Sequence, residues 1–513
     1  MFKLFFMFLL ALMPIIWLII SLCIFKMEAY KASVGALIVA IIEAMAIWGM
    51  NVVNVSTAAL EGIAMAIWPI VIVIIAAVFT YNLTVHTKAM DVIKRMITSV
   101  SNDKRVLVLL VGWCFGGFLE GMAGFGVAIA IPASMLYALG FNPVTAILAC
   151  LIANGCPTMF GSIGIPTTTL ASVTGLDPTN LAFIQTLQVG IIEFACPFLM
   201  VTLVSKGLKG LKGMIPTILI ASLSFVVPEI LTAKFVGADL AVIVAAVCSL
   251  IITFVWCLRD TKVPEEYAMN ISHDDSEPIT LSRALVAWSP FILIFVVLLV
   301  TSKLVPFINQ PLDSIQSTIN IYQGNPDATL TFKWVNTPGV LIMICGLIGG
   351  FIQKCPFKEM MGVLWDTVKQ MAKTIITMMG VLATAKIMGY SGMISSIALF
   401  FVNALGDFYP LVAPLLGALG TFVTGSGTSS EVLFGNVQLE AAKSIAVDPY
   451  WLVAANSLGT AAGKMLAPQS IAIGTAACAL EGKDGEILSK IFKYAAAFIV
   501  VMAIIVYAGT FFI

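Results

Sequence analysis

The sequence predicts an all-α polytopic membrane protein with about twelve transmembrane helices, two re-entrant hairpins and two repeats of inverted topology. The apolar composition, the lengths of the apolar segments and an internal repeat support this fold class. Residues of the AVILMFWYC set make up 60% of the 513 residues and charged residues 11%, against about 45–50% and about 25% in soluble domains. Such a chain cannot cover a globule with polar groups, which indicates that its solvent is lipid.

The charged and metal-binding residue types argue against several classes of function. Lys+Arg and Asp+Glu both number 27, so no net charge favours nucleic acid as a partner. The ten cysteines include no CxxC pair, and the two histidines, His86 and His273, are too few for a His-based metal or haem centre. Because Walker, zincin and nucleophile-elbow motifs are also absent, we expect no enzymatic activity and no cofactor.

The predicted spans follow from segment length, because a bilayer core needs about 20 apolar residues per helix. The first segment follows Lys3 and lacks a small-residue cleavage site, so we expect a retained helix instead of a signal peptide. Two longer apolar regions, 106–176 and 411–480, are interrupted by Gly, Pro, Ser, Thr and Asn. The other segments predict spans near residues 4–25, 32–54, 62–84, 183–205, 213–231, 239–258, 285–303, 337–353, 370–400 and 494–513.

The distribution of Lys and Arg predicts the orientation of these spans. Basic residues crowd the connections 85–105, 206–212 and 259–283, which the positive-inside rule places in the cytoplasm. The connections 175–182 and 403–410 contain no Lys or Arg and are expected outside, as is the polar segment 304–336. The pattern is typical of a multi-pass membrane protein.

A sequence string recurs in the second half of the chain. The string that runs from Asn154 through Gly161 to Pro166 reappears, with the same spacing, from Asn456 to Pro468. The charges flanking the second copy have the opposite pattern to those flanking the first, which predicts inverted topology. Interrupted helices at matching positions of inverted repeats indicate a secondary transporter with its site near the membrane midplane.

The repeat predicts three parts of the chain, with a hairpin and an interrupted span in each copy. The connecting part comprises two spans and a cytoplasmic linker. The predicted parts are 1–210 (hairpin 106–140, interrupted span 143–176), 211–284 (connection) and 285–513 (hairpin 411–447, interrupted span 450–480).

The interruptions predict a polar chamber. Unpaired backbone groups are tolerated at membrane depth only where they line a protein cavity, and half-helix N-termini favour carboxylates. Uncharged donors cluster at the second predicted hairpin tip, although helix capping also accounts for such hydroxyls. They are Thr424, Ser426, Thr428, Ser429 and Ser430.

Charged residues inside apolar segments are energetically unfavourable, so each suggests a partner or a function. Lys464, in the second interruption, is predicted to be the counter-ion of a substrate carboxylate or a member of an internal salt bridge. Glu120, at the first hairpin tip, is a candidate proton carrier because burial favours a neutral carboxyl group. A helix cap or a partner for Lys464 is the alternative role of Glu120. Glu431, near the second tip, is the corresponding candidate acid. Its alternative role is that of a negative charge in the first turn of a helix. Three other charges within spans are expected in structural pairs: Lys386, Glu43 and Glu193.

Several strings resemble the bacterial L-lactate permease family over essentially the full chain. The resemblance implies proton-coupled uptake of lactate, and often glycolate, across the bacterial inner membrane, and more remotely an elevator-type mechanism. The strings are Gly117-Phe118-Leu119-Glu120-Gly121, Ala123-Gly124-Phe125-Gly126, Phe160-Gly161 to Gly164-Ile165-Pro166, Val453-Ala454-Ala455-Asn456, Gly463-Lys464-Met465 and Pro468-Gln469-Ser470-Ile471-Ala472-Ile473.

The chain departs from the family pattern at two places. Where the family reads Gly-Ser-Asp-Thr-Ser-Ser-Asn, this sequence has Gly427 in place of the Asp and Glu431 in place of the Asn. The carboxylate is thereby displaced by one helical turn, which keeps it near the same side of a helix. After Gly126, Val127-Ala128 replaces the family's Ala-Pro.

The leading hypothesis is H+ symport of a small monocarboxylate, in which Glu120 or Glu431 exchanges the proton. Asn154 and Asn456 would bind substrate or interrupt the backbone. One alternative couples transport to Na+ through carbonyl oxygens near these two asparagines, and another is an anion channel. A monomer and a homodimer both remain open. The other predicted substrate contacts are Lys464, Ser426, Thr428, Ser429, Ser430 and Gln469.

Overall fold

The structure, a computed structural model, describes residues 2–25, 27–124, 126–259, 263–269, 280–326, 328–480 and 483–512. His273, most of the predicted cytoplasmic linker and Phe125 of the first predicted hairpin tip lie outside these ranges. Within them, eleven helices are long and apolar enough to cross a membrane, or twelve if the bent pair Leu4–Ala11 and Met13–Leu22 is one span. The prediction of a helical protein with about twelve spans is confirmed.

The N-terminal helices differ from the predicted spans in one respect. The segments predicted at 32–54 and 62–84 form a helix that ends at Ala46 and a longer run from Val52 to His86. That run is bent at Trp68, where φ and ψ are −129° and 119°, because Pro69 cannot donate the helical hydrogen bond. The helices are α1 (Phe2–Ala11), α2 (Met13–Ile19), α3 (Ala29–Ala46), α4 (Val52–Met65), α5 (Ile72–His86) and α6 (Ala89–Thr98).

The first interrupted region contains two helical runs followed by a long helix. A π-helical segment, Val108–Phe115, joins the short helices at the start. Asn142 caps α10 through a hydrogen bond from the Thr145 N–H, and Pro143 occupies the first helical position, where its missing N–H has no effect. The helices are α7 (Lys104–Leu107), α8 (Gly116–Met122), α9 (Val127–Ala138), α10 (Pro143–Gly155), α11 (Gly161–Thr174) and α12 (Pro178–Val204).

The middle of the chain contains a small sheet that the all-α prediction missed. The strands β1 (Gln316–Ile319) and β2 (Leu330–Lys333) pair antiparallel within the polar segment 304–336. Thr318 lies opposite Thr331, and their hydroxyl oxygens are 2.8 Å apart, a cross-strand pair that suits β-branched residues. The helices of this part are α13 (Ile215–Phe235), α14 (Ala238–Cys257), α15 (Leu281–Val300), α16 (Pro306–Asp313), α17 (Pro338–Ile352) and α18 (Phe357–Ser391).

The C-terminal part also contains two interrupted helical runs followed by a long helix. The span predicted at 370–400 is divided at Gly392, whose φ of +94° ends α18 and favours glycine. Asp448 caps α22 and Pro449 follows it, as Asn142 and Pro143 do in α10. The helices are α19 (Met393–Leu405), α20 (Tyr409–Thr424), α21 (Gly427–Ile445), α22 (Pro449–Leu466), α23 (Pro468–Ala477) and α24 (Asp484–Gly509).

The helices pack in two groups. The first group, called the scaffold here, comprises α3, α4, α5, α15, α17 and α18, in which α18 packs on α3 and α4, and α17 packs on α5 and α15. The second, called the core, comprises α7 to α14 and α20 to α24. In the core, α9 packs on α23, α10 on α22 and α11 on α21. The close approach of α20 and α22 depends on Gly459, because a Cβ there would lie 1.8 Å from the Pro414 carbonyl oxygen.

Candidate functional site

A cavity of about 400 Å³ lies between the core and the scaffold. Its walls come from the turns of the two interrupted regions and from α3 and α18. The structure brings six of the ten predicted site residues to these walls: Lys464, Glu120, Ser426, Thr428, Ser429 and Gln469. Four of the ten do not line it: Asn154, Asn456, Ser430 and Glu431.

Lys464 lies in the last turn of α22 and is 8% exposed. Its Nζ donates a hydrogen bond to the Gly425 carbonyl oxygen at 3.1 Å. Glu120 is within Coulombic range, but among the described residues Lys464 forms no ion pair. The cavity therefore contains an ammonium that makes no direct contact with a carboxylate of the described residues.

Glu120 lies in the last turn of α8, 3% exposed, on the same cavity. Its Oε2 accepts a hydrogen bond from Asn154 Nδ2 at 2.6 Å. A Cβ at Gly161 would lie 2.5 Å from Oε1, so the glycine makes room for the carboxyl group. Asn154 thus contacts the cavity-lining carboxyl group of Glu120 without lining the cavity itself.

The interruption of the first span is a left-handed turn. Ser162, Ile163 and Gly164 have φ values of +47°, +62° and +70°, and for the two residues with side chains this conformation is unfavourable. Ser162 Oγ donates to the Ala123 carbonyl oxygen at 2.9 Å, which ties this turn to the first hairpin tip. The observed strain is of the kind that surrounding structure maintains at functional sites.

The second hairpin tip presents the N-terminus of α21 to the cavity. Ser426 caps this helix and accepts from the Ser429 N–H at 3.3 Å, so capping explains the Ser426 hydroxyl. Ser429 Oγ is buried and has no hydrogen-bond partner among the described groups. Gly427, Thr428 and Ser429 all line the cavity. A helix N-terminus with a free hydroxyl is a favourable place for a carboxylate.

Glu431 and Asn456 form a second acid–amide pair behind the wall. Asn456 Nδ2 donates to Glu431 Oε2 at 2.8 Å, as Asn154 does to Glu120. Ser430 Oγ donates to the Gly417 carbonyl oxygen at 2.7 Å and so joins α21 to α20. Gly427 lines the cavity and Glu431 does not, so the displaced carboxylate has different surroundings from position 427.

The scaffold contributes wall residues that the repeat could not reveal. Glu28 and Lys373 form an ion pair between the start of α3 and the middle of α18, and both line the cavity together with Tyr30. The hydrogen bond from Lys373 lowers the pKa of the Glu28 carboxyl. Their sequence signal is weak, since a charge at a span end is ordinary. Other lining residues absent from the prediction are Thr158, Ser162 and Ser470.

The charges expected in structural pairs divide into two cases. Lys386 Nζ lies 2.7 Å from Glu61 Oε1, which also accepts a hydrogen bond from the Tyr390 hydroxyl at 2.8 Å. The expected structural role of Lys386 is confirmed. The expectation for Glu43 and Glu193 is wrong, because neither forms an ion pair within the described parts of the chain and both have carboxylate oxygens without a hydrogen-bond partner.

Comparison with known proteins identifies the family. A sequence model described as L-lactate permease matches residues 7–513. The chain belongs to the L-lactate permease family. It is 43% identical over 446 residues to the L-lactate permease of Streptococcus iniae, covering 87% of this chain and 93% of that relative. It is 33% identical over 532 residues to the glycolate permease GlcA of Escherichia coli strain K12, covering 97% and 94%.

Membership confirms the resemblance drawn from the sequence motifs. The fold is similar to that of Neisseria gonorrhoeae MtrF, which represents a class of antimetabolite efflux pumps, with a TM-score of 0.50 over 94% of each chain. At 12% identity this likeness concerns the fold alone. This family member is a multi-pass protein of the bacterial inner membrane, and its family is one of transporters and not of enzymes.

Proposed function

We propose that the protein takes up L-lactate, and related 2-hydroxy monocarboxylates such as glycolate, by H+ symport across the cytoplasmic membrane. The observation that carries this proposal is the buried ammonium of Lys464, which faces the cavity and has a backbone carbonyl as its hydrogen-bond partner. A buried charge of this kind is unfavourable unless an anion compensates it. The names of the relatives supply the substrate class.

The substrate carboxylate would lie between Lys464 and the N-terminus of α21. There the ammonium and the free Ser429 hydroxyl both donate to it. The 2-hydroxyl group would contact Gln469, which lines the same cavity. One carboxylate needs one cation, which fits a monocarboxylate.

Glu120 is the group that best explains proton coupling. Glu28 and Lys373 form a neutral pair at the cavity wall. With Glu120 ionised, its charge and that of Lys464 also balance, so a bound carboxylate would leave a net negative charge in a poorly solvated space. Protonation of Glu120 restores neutrality and so favours substrate and proton binding together. Glu431 lies behind the wall, where its charge acts on substrate less directly.

The arrangement of the two groups of helices supports inverted repeats and an elevator mechanism. The four helices α8–α11 and the four helices α20–α23 are each a hairpin followed by an interrupted span, and the two sets pack on one another in the core. The cavity lies where this core meets α3 and α18 of the scaffold. Sliding of the core along the scaffold would carry the occupied cavity from one membrane face to the other.

Uptake by purified protein in proteoliposomes tests the function. We expect labelled L-lactate to accumulate above equilibrium with an imposed inward pH gradient, and an imposed Na+ gradient to have no effect. A panel of unlabelled 2-hydroxy acids should compete according to size. Accumulation driven by a Na+ gradient alone would show that Na+, and not H+, is the coupling ion. Flux that neither saturates nor runs uphill would instead establish a channel.

A further inference from the structure

Two carboxyl groups meet in the interior of the core, away from the cavity. Glu193 lies on α12 and Glu229 on α13, and both side chains are 0% exposed. The helices α12 and α13 pack on each other, and the two carboxyl groups lie close enough to interact directly. None of the four carboxylate oxygens accepts a hydrogen bond from any other described group.

The surroundings of this acid pair contain no compensating cation. The thiol of Cys156 lies within Coulombic range of both acids, and its sulfur atom is 3.4 Å from that of Cys196. Within the described parts of the chain, neither acid forms an ion pair with Lys, Arg or His. Two adjacent carboxylates without a cation repel each other and are poorly solvated, whereas one proton between them removes a charge and supplies a hydrogen-bond donor. The pair thus requires at least one bound proton.

The acid pair lies directly behind the interruption that forms the cavity wall. Cys156, which faces the pair, begins the segment Cys156–Phe160 that separates α10 from α11. Thr158 in this segment and Gly161 just after it line the cavity on its other side. A change in the interruption during transport would therefore change the packing around the two acids.

The backbone near the acid pair lacks helical hydrogen bonds at two prolines. Pro197 follows Glu193 by one helical turn and cannot donate the usual hydrogen bond to its carbonyl oxygen, and Pro228 directly precedes Glu229. Both helices are thus interrupted in their hydrogen bonding at the level of the acids. Helices with missing hydrogen bonds bend more easily, so the distance between the two acids can change when the neighbouring segment moves.

We propose that Glu193 and Glu229 form a second proton-binding site, which shares one proton and exchanges it with water during the transport cycle. The inference rests on the proposed H+ symport, in which this site would contribute to coupling alongside Glu120. It goes beyond that proposal because the site is separate from the substrate cavity. The ligand we propose is a proton, because a proton shared by two carboxyl groups needs no further ligand, whereas a cation such as Ca2+ takes about 6–8 oxygen ligands.

Infrared spectroscopy of the purified protein tests proton binding without any substrate. Wild type should show the carbonyl stretch of a protonated carboxyl group, and this signal should titrate with pH. The signal should decrease in both Glu193→Gln and Glu229→Gln, since in each variant the new amide donates to the remaining carboxylate. Glu440→Gln is the matched control, because that acid forms an exposed ion pair with Lys443. An unchanged signal in both variants, or one that does not respond to pH, would overturn the proposal.

Transport assays then test the coupling role. We expect each variant to retain lactate exchange at equal pH but to accumulate several-fold less lactate than wild type under an imposed pH gradient. Wild-type accumulation in both variants would show that the shared proton is only structural. Loss of exchange together with accumulation, in correctly folded protein, would also contradict the coupling role. If wild type itself shows no pH-driven uptake, the proposed symport fails, and the infrared titration still decides whether the pair binds an exchangeable proton.

Discussion

Replacing Lys464 by alanine tests the assignment on which the proposed binding mode depends. The substitution removes the cavity ammonium and its hydrogen bond to the Gly425 carbonyl oxygen. The N-terminus of α21 and the Ser429 hydroxyl remain. We therefore expect the protein to insert and fold but to bind lactate much less tightly.

The magnitude follows from the burial of Lys464 and from what the substitution leaves behind. Truncating one member of a buried, hydrogen-bonded charge pair costs about 2–5 kcal/mol. Because Lys464 is 8% exposed, and because a helix N-terminus retains about 0.3–1 kcal/mol of attraction for an anion, the lower part of this range applies. A loss of about 2–3 kcal/mol corresponds to a Kd weakened by about 30- to 150-fold.

The assay is lactate exchange at equal pH, which reports half-saturation without a proton gradient, combined with calorimetric titration of the purified protein. Lys443→Ala is the matched control, since this lysine is on α21 but pairs with Glu440 away from the cavity. Lys464→Arg should recover only part of the affinity, because a planar guanidinium differs from a compact ammonium. Wild-type affinity in a folded Lys464→Ala variant would refute the counter-ion role.

Three further predictions test the acids and the packing. Glu120→Gln should abolish accumulation driven by a pH gradient but leave equal-pH exchange; if both activities survive, Glu120 is not the proton carrier. Glu431→Asn should reduce transport, because the shorter side chain loses the carboxylate that accepts the hydrogen bond from Asn456. Adding Gly427→Asp should not restore transport, because position 427 faces the cavity; recovery in the double variant would contradict this. Gly459→Ala should destabilise the protein by about 1–3 kcal/mol through overpacking, measured as a lower melting temperature in detergent. Gly485→Ala, with open space around the added methyl group, is its control, and equal melting temperatures would disprove the packing argument.

The sequence by itself was sufficient to predict the fold class, the family and the positions of the interrupted regions. These properties are local: apolar length specifies a span, and Gly, Pro and hydroxyl residues specify where a helix ends. The repeat around Asn154 and Asn456 and the string containing Lys464 led to the family before any contact was known. Lys464 could also be singled out individually, because a charge within an apolar segment needs either a partner or a function.

Only the tertiary structure decided which of these residues share a space. Ser429, Ser430 and Glu431 are consecutive, yet only the first of them lines the cavity, because successive side chains of a helix point in different directions. Glu28 and Lys373 are 345 positions apart and form an ion pair in the scaffold wall of the same cavity. The partner of a buried charge depends on how helices are packed and rotated against each other, which depends on contacts between residues far apart in the sequence and is not readable from any one segment.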